Sequence, residues 1–278
     1  MQALKQVINF YLNSSIHVAL AASALVWVTG LEFNLDWDFN LFGFVFFATI
    51  SGYNFVKFFG VAKFHHRSLA RWLRVIQMFS LLAFLAMCFF VISLKFEALI
   101  LTGILGVITF FYAIPVMVPK HYFFDDHKNL RQIGGLKVYL IALIWTVVTV
   151  FLPLVNEEVP IGFDAMITGF QRFCFVLVLM LPFEIRDLNY DSIKLATIPQ
   201  KIGIKNTKII GVLLLMLFVL LNYFKDTLSI KVIISTVSIS VLTGVFLLVS
   251  KKDQSKYHSA FWVESLPIVW WLIFILLG

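Results

Sequence analysis

The sequence predicts an all-α, polytopic integral membrane protein with nine transmembrane helices. Three observations predict it: the composition, the spacing of the apolar runs and the distribution of charge. Of the 278 residues, 61% are hydrophobic and only 13% are charged, whereas soluble domains carry about 25% charged residues. The composition therefore excludes an ordinary soluble domain.

Apolar runs of about 20 residues recur along the whole chain, each long enough to cross roughly 30 Å of hydrocarbon as a helix. A short polar leader precedes the first run, which we interpret as a retained helix and not as a cleaved signal. The stretches between runs are too short for a separate soluble domain, so residues 1–278 are expected to form a single transmembrane domain. The nine predicted spans lie near residues 10–30, 40–60, 73–94, 97–118, 136–155, 161–184, 207–224, 229–250 and 260–277.

Lysine and arginine are concentrated in alternate connecting segments. The segments after the second, fourth, sixth and eighth runs are basic, and together with Lys5 they hold 18 of the 22 Lys and Arg residues. The positive-inside rule makes these segments cytoplasmic. We expect a cytoplasmic N-terminus, an external C-terminus and a bacterial inner membrane. The net charge of +7 follows from this topology and needs no nucleic-acid partner.

A few residues fall outside these patterns. Arg172 lies within the sixth run, and the simplest prediction is that its side chain snorkels to the outer interface. Cys88 and Cys174 lie within apolar runs, where we expect small core or lipid-facing side chains and not a disulfide or a metal site. The basic residues outside the alternating pattern are Lys95, Arg172, Lys225 and Lys231.

A polar stretch, Leu181–Gly203, separates the sixth and seventh runs. If the sixth helix continues through it, the i, i+3, i+7 spacing places Glu184, Asp187 and Asp191 on one stripe, with Arg186 pointing away. Carboxylate oxygens grouped in this way suit Mg²⁺ together with substrate phosphates. A solvated helix end that carries scattered charges is the alternative, and an isolated pair of acids four residues apart does not exclude it.

The sequence EIRDLNYDSIKLATIPQKIG within this stretch resembles the second aspartate-rich motif of the UbiA superfamily of intramembrane prenyltransferases. Two further stretches are similar to that family: YAIPVMVPK, at Tyr112 to Lys120, to the end of its fourth helix, and GLKVYLIALIW to the start of its fifth. The resemblance spans most of the chain and agrees with the count of nine helices. The residues that match the second motif are Asp187, Asp191, Thr197, Pro199 and Gly203.

The resemblance implies a UbiA-type prenyltransferase fold and the transfer of a prenyl group from a prenyl diphosphate to a lipophilic, often aromatic acceptor, as in quinone, haem or pigment biosynthesis. It implies that Asp187 and Asp191 are the catalytic residues and bind Mg²⁺, with Glu184 as a further metal ligand. The side chains expected to contact the substrate phosphates are Asn54, Lys57, Lys120 and Lys194.

The family's first aspartate-rich motif, expected after the second helix, is degenerate in this chain. Asn54 matches its asparagine, but no Asp or Glu occurs between Asp38 and Glu97. We therefore expect one Mg²⁺ ion in place of two. Lys57 and its basic neighbours either bind the diphosphate directly or face lipid phosphates. A non-catalytic family member that binds an isoprenoid or lipid is the alternative function, whereas a small-solute transporter is disfavoured because charges are scarce within the spans.

Overall fold

A computed structural model of the protein describes residues 2–61, 70–114, 135–189, 196–227 and 229–277. Within these ranges the regular secondary structure is entirely helical. The helices are α1 (Gln2–Asn13), α2 (Ile16–Phe33), α3 (Phe39–Val61), α4 (Ala70–Val91), α5 (Phe96–Ala113), α6 (Leu136–Thr146), α7 (Leu152–Asn156), α8 (Phe163–Asp187), α9 (Ile198–Leu220), α10 (Ile230–Val249) and α11 (Leu266–Leu276).

Nine helical segments of the described chain are long and apolar enough to cross a membrane, which confirms the predicted number. A π-helical segment, Val147–Phe151, joins α6 to α7, so that Leu136–Asn156 forms one span. A second π-helical segment, His258–Val263, precedes α11 in the last span. Neither irregularity interrupts its span, because wide helical turns keep the backbone groups hydrogen-bonded within the segment.

The start of the first and seventh spans differs from the prediction. The polar leader forms α1, and the chain bends at Ser15, which has φ 65°, before α2 begins. The seventh span begins at Ile198, nine residues before the predicted 207. The first turns of this helix are polar, so hydropathy alone does not reveal where it starts. A Gln200 side chain accepts a hydrogen bond from the Thr197 backbone N–H (3.0 Å) and supports this early start.

Helix α8 lies at the centre of the bundle, and 72% of its membrane-spanning window is buried. Its Phe175 packs against Phe218 of α9 and Trp270 of α11, with ring centroids 5.0–5.5 Å apart. Helix α4 lies at the periphery, with only 6% of its window buried. Large apolar side chains on such outer helices meet lipid and not water, which accounts for their exposure.

Polar contacts collect at two opposite ends of the bundle. At one end, which we call the basic face, the C-terminal ends of α3 and α8 meet the starts of α2, α9 and the last span. At the other end, Lys225 pairs with Glu32 and Lys95 pairs with Glu158. Two of the four basic residues outside the charge pattern are thus neutralised by acids on the face opposite the basic segments.

The prediction that Arg172 snorkels to the interface was wrong. Its side chain is 1% exposed within the bundle. The guanidinium donates hydrogen bonds to the hydroxyls of Thr149 (3.0 Å) and Thr29 (3.2 Å) and to a backbone carbonyl of α2 (2.9 Å). It also lies 5.1 Å from the ring centroid of Trp270. These acceptors replace water, so the cation stays inside the protein.

Candidate functional site

The two described acids of the aspartate-rich stretch lie at the C-terminal end of α8 on the basic face. Glu184 is 2% exposed, and its Oε2 accepts a hydrogen bond from the backbone N–H of Ile198 (3.1 Å). The carboxylate therefore lies at the positive N-terminal end of α9 and joins the two helices. Helix α8 ends at Asp187. Asp191 and Lys194 lie outside the described residues, and so does Lys120.

Arg186 does not point away from the acids, which corrects the expectation from helical spacing. Its Nε donates a hydrogen bond to Asp187 Oδ1 (2.7 Å), and its Nη1 donates to Ser259 Oγ (2.8 Å). The guanidinium also lies 5.3 Å from the ring centroid of Phe183. A long, flexible side chain bends toward its neighbour at a helix end, where the regular spacing no longer separates their directions. Arg186 thereby joins the end of α8 to the start of the last span.

The other residues of the motif shape the backbone after the acids. Thr197 is the N-cap of α9 and Pro199 lies in its first turn, where the absent N–H of proline has no helical acceptor. Gly203 has φ 77° and ψ 162°, a conformation accessible almost only to glycine, and it kinks α9. The motif therefore also specifies how α9 approaches the end of α8.

Asn54 is 4% exposed and holds the bend between α1 and α2. Its Oδ1 accepts a hydrogen bond from Ser15 Oγ (2.8 Å). Its Nδ2 donates to the Ser14 carbonyl (3.0 Å) and to Ser80 Oγ on α4 (2.9 Å). Both polar atoms of the amide thus have partners inside the protein, and a contact with substrate phosphate stays a prediction.

Lys57 contacts the same bend. Its Nζ donates hydrogen bonds to Ser15 Oγ (2.7 Å) and to the Asn13 carbonyl (3.2 Å). Together with Asn54 it lines a cavity of about 560 Å³ between α3 and α4. An ammonium group has three N–H donors, so Lys57 keeps one for a phosphate oxygen. Its role in substrate binding also stays a prediction.

A larger cavity of about 760 Å³, which we call the chamber, lies within the bundle. Its wall is formed mainly by apolar side chains of α3, α5 and α6, with Met180 and Phe183 of α8. Tyr53 and Trp145 contribute to the wall and are joined by a hydrogen bond from Trp145 Nε1 to Tyr53 Oη (2.8 Å). The charged residues among the described lining are Lys137 and Glu264.

Glu264 is the residue that the sequence analysis missed. It is the only Asp or Glu in the last span, His258–Leu276. An acid within an apolar run is a signal of function in membrane proteins. It lies near the basic face, within electrostatic range of Lys57 and Arg186. The sequence shows the acid, but the direction of its side chain depends on the π-helical turn before it.

The described carboxylates fit a magnesium site in part. Both Glu184 and Asp187 offer oxygen atoms, which Mg²⁺ prefers. Among the residues that the structure describes, however, no group of three or more His, Cys, Asp or Glu side chains is arranged to hold a metal ion. A complete site from this motif therefore requires Asp191, a water molecule or the substrate's own oxygens.

Two solved structures share this architecture over nearly their whole length. Digeranylgeranylglyceryl phosphate synthase is similar over 99% of this chain and 98% of its own, with a TM-score of 0.60 and 16% sequence identity. A UbiA homolog from Archaeoglobus fulgidus bound to GPP and Mg²⁺ is similar over 96% of this chain and 98% of its own, with a TM-score of 0.58 and 13% identity. No protein-family model and no curated protein matches the sequence. The chain therefore has the fold of the UbiA-type intramembrane prenyltransferases, which confirms the fold that its aspartate-rich stretch predicts.

Proposed function

We propose that the protein is a membrane prenyltransferase that transfers a prenyl group from a prenyl diphosphate to a lipophilic acceptor. The observation that carries the proposal is the chamber of about 760 Å³. Its volume lies within the roughly 300–1,000 Å³ of small-molecule sites, and its apolar wall suits an isoprenoid tail. The similar UbiA homolog was solved with GPP and Mg²⁺, which supports a prenyl diphosphate as donor.

The polar groups of the basic face would receive the diphosphate. Asp187 and Asp191, with Glu184 beside them, would hold Mg²⁺, which when bound neutralises the charge that develops on the leaving diphosphate. Arg186 already neutralises Asp187 in part and is available to a phosphate oxygen as an always-charged donor. The lysines proposed to orient the phosphates are Lys57, Lys120 and Lys194.

The proposed orientation places the basic face in the cytoplasm, with the N-terminus inside and the C-terminus outside. Lys95 and Lys225 lie on the opposite face, although the positive-inside rule places basic residues in the cytoplasm. Each of them is paired with an acid there, so neither adds net positive charge to that face, which supports the proposed orientation. We also propose that residues 1–278 act as a single transmembrane domain in a bacterial inner membrane.

A non-catalytic protein that binds an isoprenoid or lipid is the second candidate. Two observations favour it: the absence of acids between Asp38 and Glu97 in the sequence, and the internal hydrogen bonds of Asn54. A site with fewer metal ligands stabilises the leaving group less, but it still offers the same apolar chamber to a prenyl tail. The two candidates therefore differ in turnover and not in binding.

The first experiment measures the melting temperature of the detergent-purified protein with geranylgeranyl diphosphate, with and without Mg²⁺. A ligand that binds only the folded state stabilises it by mass action. We expect stabilisation that requires Mg²⁺ and that is lost in Asp187→Asn/Asp191→Asn. The matched control, Asp36→Asn/Glu97→Gln, also removes two acids but away from the site, and it should retain the wild-type response. Equal melting of the wild type in all conditions would contradict donor binding.

Turnover then separates the two candidates. The protein is incubated with Mg²⁺, isotopically labelled geranylgeranyl diphosphate and a total lipid extract as the acceptor source. A prenyltransferase releases diphosphate and moves the label into a new lipid. Stabilisation by the donor without label transfer would favour the non-catalytic candidate.

A further inference from the structure

A second cavity, which we call the lateral cavity, lies between α3 and α4. Its volume of about 560 Å³ falls within the roughly 300–1,000 Å³ of small-molecule sites. Among its described lining residues Lys57 is the only charged one, whereas the acids Glu184 and Asp187 belong to α8. The lateral cavity adjoins the chamber, and the described residues that line both are Ala48, Gly52, Phe55 and Met87.

The lateral cavity has a polar end and an apolar body. Lys57 ends the second span and Gln77 lies in the first turn of the third, so both are at the basic face. Ala48 lies nine residues before Lys57, and Met87 lies ten residues after Gln77. At 1.5 Å per residue these separations are about 14–15 Å. They equal half of the roughly 30 Å hydrocarbon core, so the lateral cavity has the depth of one lipid leaflet.

One side of the lateral cavity faces the bilayer. Its wall includes Leu81 and Phe84 of the peripheral helix α4, and these side chains are 60% and 47% exposed. Exposed apolar side chains on an outer helix meet lipid. A lipid molecule can therefore reach the lateral cavity from the membrane along α4.

Hydrogen-bond donors are available along the lateral cavity. Two of the three N–H groups of Lys57 are used by Ser15 Oγ and the Asn13 carbonyl, which leaves one for a ligand. The hydroxyl of Ser51 is buried and has no partner among the described residues, which is costly unless a ligand accepts its hydrogen bond. The exposed amide of Gln77 is a further donor. These groups suit the phosphate and ester oxygens of a lipid.

The charge of the lateral cavity selects among phosphate-bearing ligands. The phosphodiester of phosphatidylglycerol carries one negative charge, which matches the one cation of the described lining. Phosphatidylcholine adds an ammonium group, which Lys57 repels and for which the described lining provides no acid. A prenyl diphosphate carries more than one negative charge, and the described lining has no carboxylate to hold its Mg²⁺.

We infer that the lateral cavity binds an anionic phospholipid from the leaflet at the basic face, with the lipid phosphate at Lys57 and an acyl chain along Leu81 and Phe84. Of the two ligands considered for Lys57, a lipid phosphate is therefore the one that this cavity fits. The single free N–H of Lys57 serves one phosphate at a time, so a bound lipid leaves the proposed prenyl donor to Lys120 and Lys194. The lipid site does not depend on prenyl transfer in the chamber.

The test is a lipid titration of the detergent-purified protein, followed by native mass spectrometry. It compares dioleoylphosphatidylglycerol with dioleoylphosphatidylcholine, which has the same chains. We expect the wild type to bind the first phosphatidylglycerol about fivefold more tightly, which is the effect of one lysine near anionic lipid. In Lys57→Gln the two constants should agree within twofold. Lys205→Gln removes an exposed lysine near the start of α9 and should keep the wild-type ratio.

Two more variants separate charge from folding. Lys57→Arg keeps the cation and should keep the preference for phosphatidylglycerol. Gln77→Glu places a negative charge at the polar end without touching the contacts of Lys57, and it should abolish the preference. Melting temperatures without lipid show whether each variant is folded, and Gln77→Glu decides if Lys57→Gln is not. The inference is wrong if the wild type has no preference, if both variants keep it, or if Lys205→Gln loses it equally.

Competition identifies the source of the phosphate. Inorganic phosphate, or geranylgeranyl diphosphate without Mg²⁺, is added to the phosphatidylglycerol complex at the concentration of the lipid, and neither should displace it. Displacement by inorganic phosphate would indicate an anion site that needs no acyl chain, and displacement by the prenyl diphosphate would return Lys57 to the donor. Either result overturns the lipid site. Failure of the Mg²⁺-dependent melting experiment would overturn the proposed function alone.

Discussion

Replacing Lys225 with methionine should destabilise the protein more than any exposed charge removal would. The Lys225 ammonium donates to the Glu32 carboxylate, and the two side chains are only 5% and 10% exposed. Thr168 Oγ1 adds a hydrogen bond to the same carboxylate oxygen (2.9 Å). The pair joins the end of α2 to the segment after α9, so it closes the bundle on the face opposite the basic segments.

The magnitude follows from the burial of this pair. Removing one partner leaves the other as an uncompensated buried charge, which costs about 3–5 kcal/mol. In Lys225→Met the hydrogen bond from Thr168 to Glu32 remains, which keeps the cost toward the lower end of this range. Replacing both partners, in Lys225→Met/Glu32→Leu, removes both charges and should cost only about 1 kcal/mol, mainly because Thr168 loses its acceptor. The coupling free energy between Lys225 and Glu32 is therefore expected to be several kcal/mol.

The assay is a double-mutant cycle in mixed detergent micelles, with unfolding by sodium dodecyl sulfate followed through tryptophan fluorescence. The control is the same cycle on Lys95 and Glu158, a pair whose side chains are 55% and 67% exposed. We expect no coupling there beyond experimental error, because water and salt screen exposed pairs. A coupling at Lys225 and Glu32 as small as that of the control would refute the reasoning from burial.

Three further predictions concern backbone and metal. Gly211→Ala should cost about 1–3 kcal/mol, since its new Cβ would overlap with Leu247 Cδ2. In Gly30→Ala the new Cβ meets no atom within 4 Å, so that variant should be neutral or slightly stabilised, and equal unfolding free energies of the two variants would contradict this. Gly203→Ala should cost about 1–3 kcal/mol because of its positive φ, and an unchanged melting temperature would contradict it. Chelation of Mg²⁺ by EDTA should abolish stabilisation by geranylgeranyl diphosphate. If the stabilisation persists, the diphosphate is bound directly by cationic side chains.

Hydropathy and charge predict the number of spans because these features are properties of the local sequence. Hydropathy does not predict the polar first turns of α9, since Ile198–Leu220 begins with residues that a bilayer does not favour. Thr197 and Pro199 mark a helix start on their own. The sequence therefore contains the signal for this helix start, but apolar length alone does not show it.

The surroundings of single charged residues were not predictable from the sequence. Arg172 is buried because Thr29 and Thr149, 143 and 23 residues away along the chain, accept its hydrogen bonds. Glu264 faces the chamber because a π-helical turn precedes it. The first outcome depends on contacts between distant segments and the second on an irregular helical turn, and neither follows from regular helical spacing. The motif at Asp187 could be named from sequence, but its pairing with Arg186 could not.

The bend between α1 and α2 changes how the polar leader should be regarded. By composition, the residues before Ile16 look dispensable, because the first membrane-spanning helix begins there. A shortened protein starting at that residue would nevertheless lose both hydrogen-bond acceptors of Lys57 and two of the three partners of Asn54. An N-terminal trimming series should therefore lose yield abruptly when Ser14 and Ser15 are removed, not when the apolar run itself is reached.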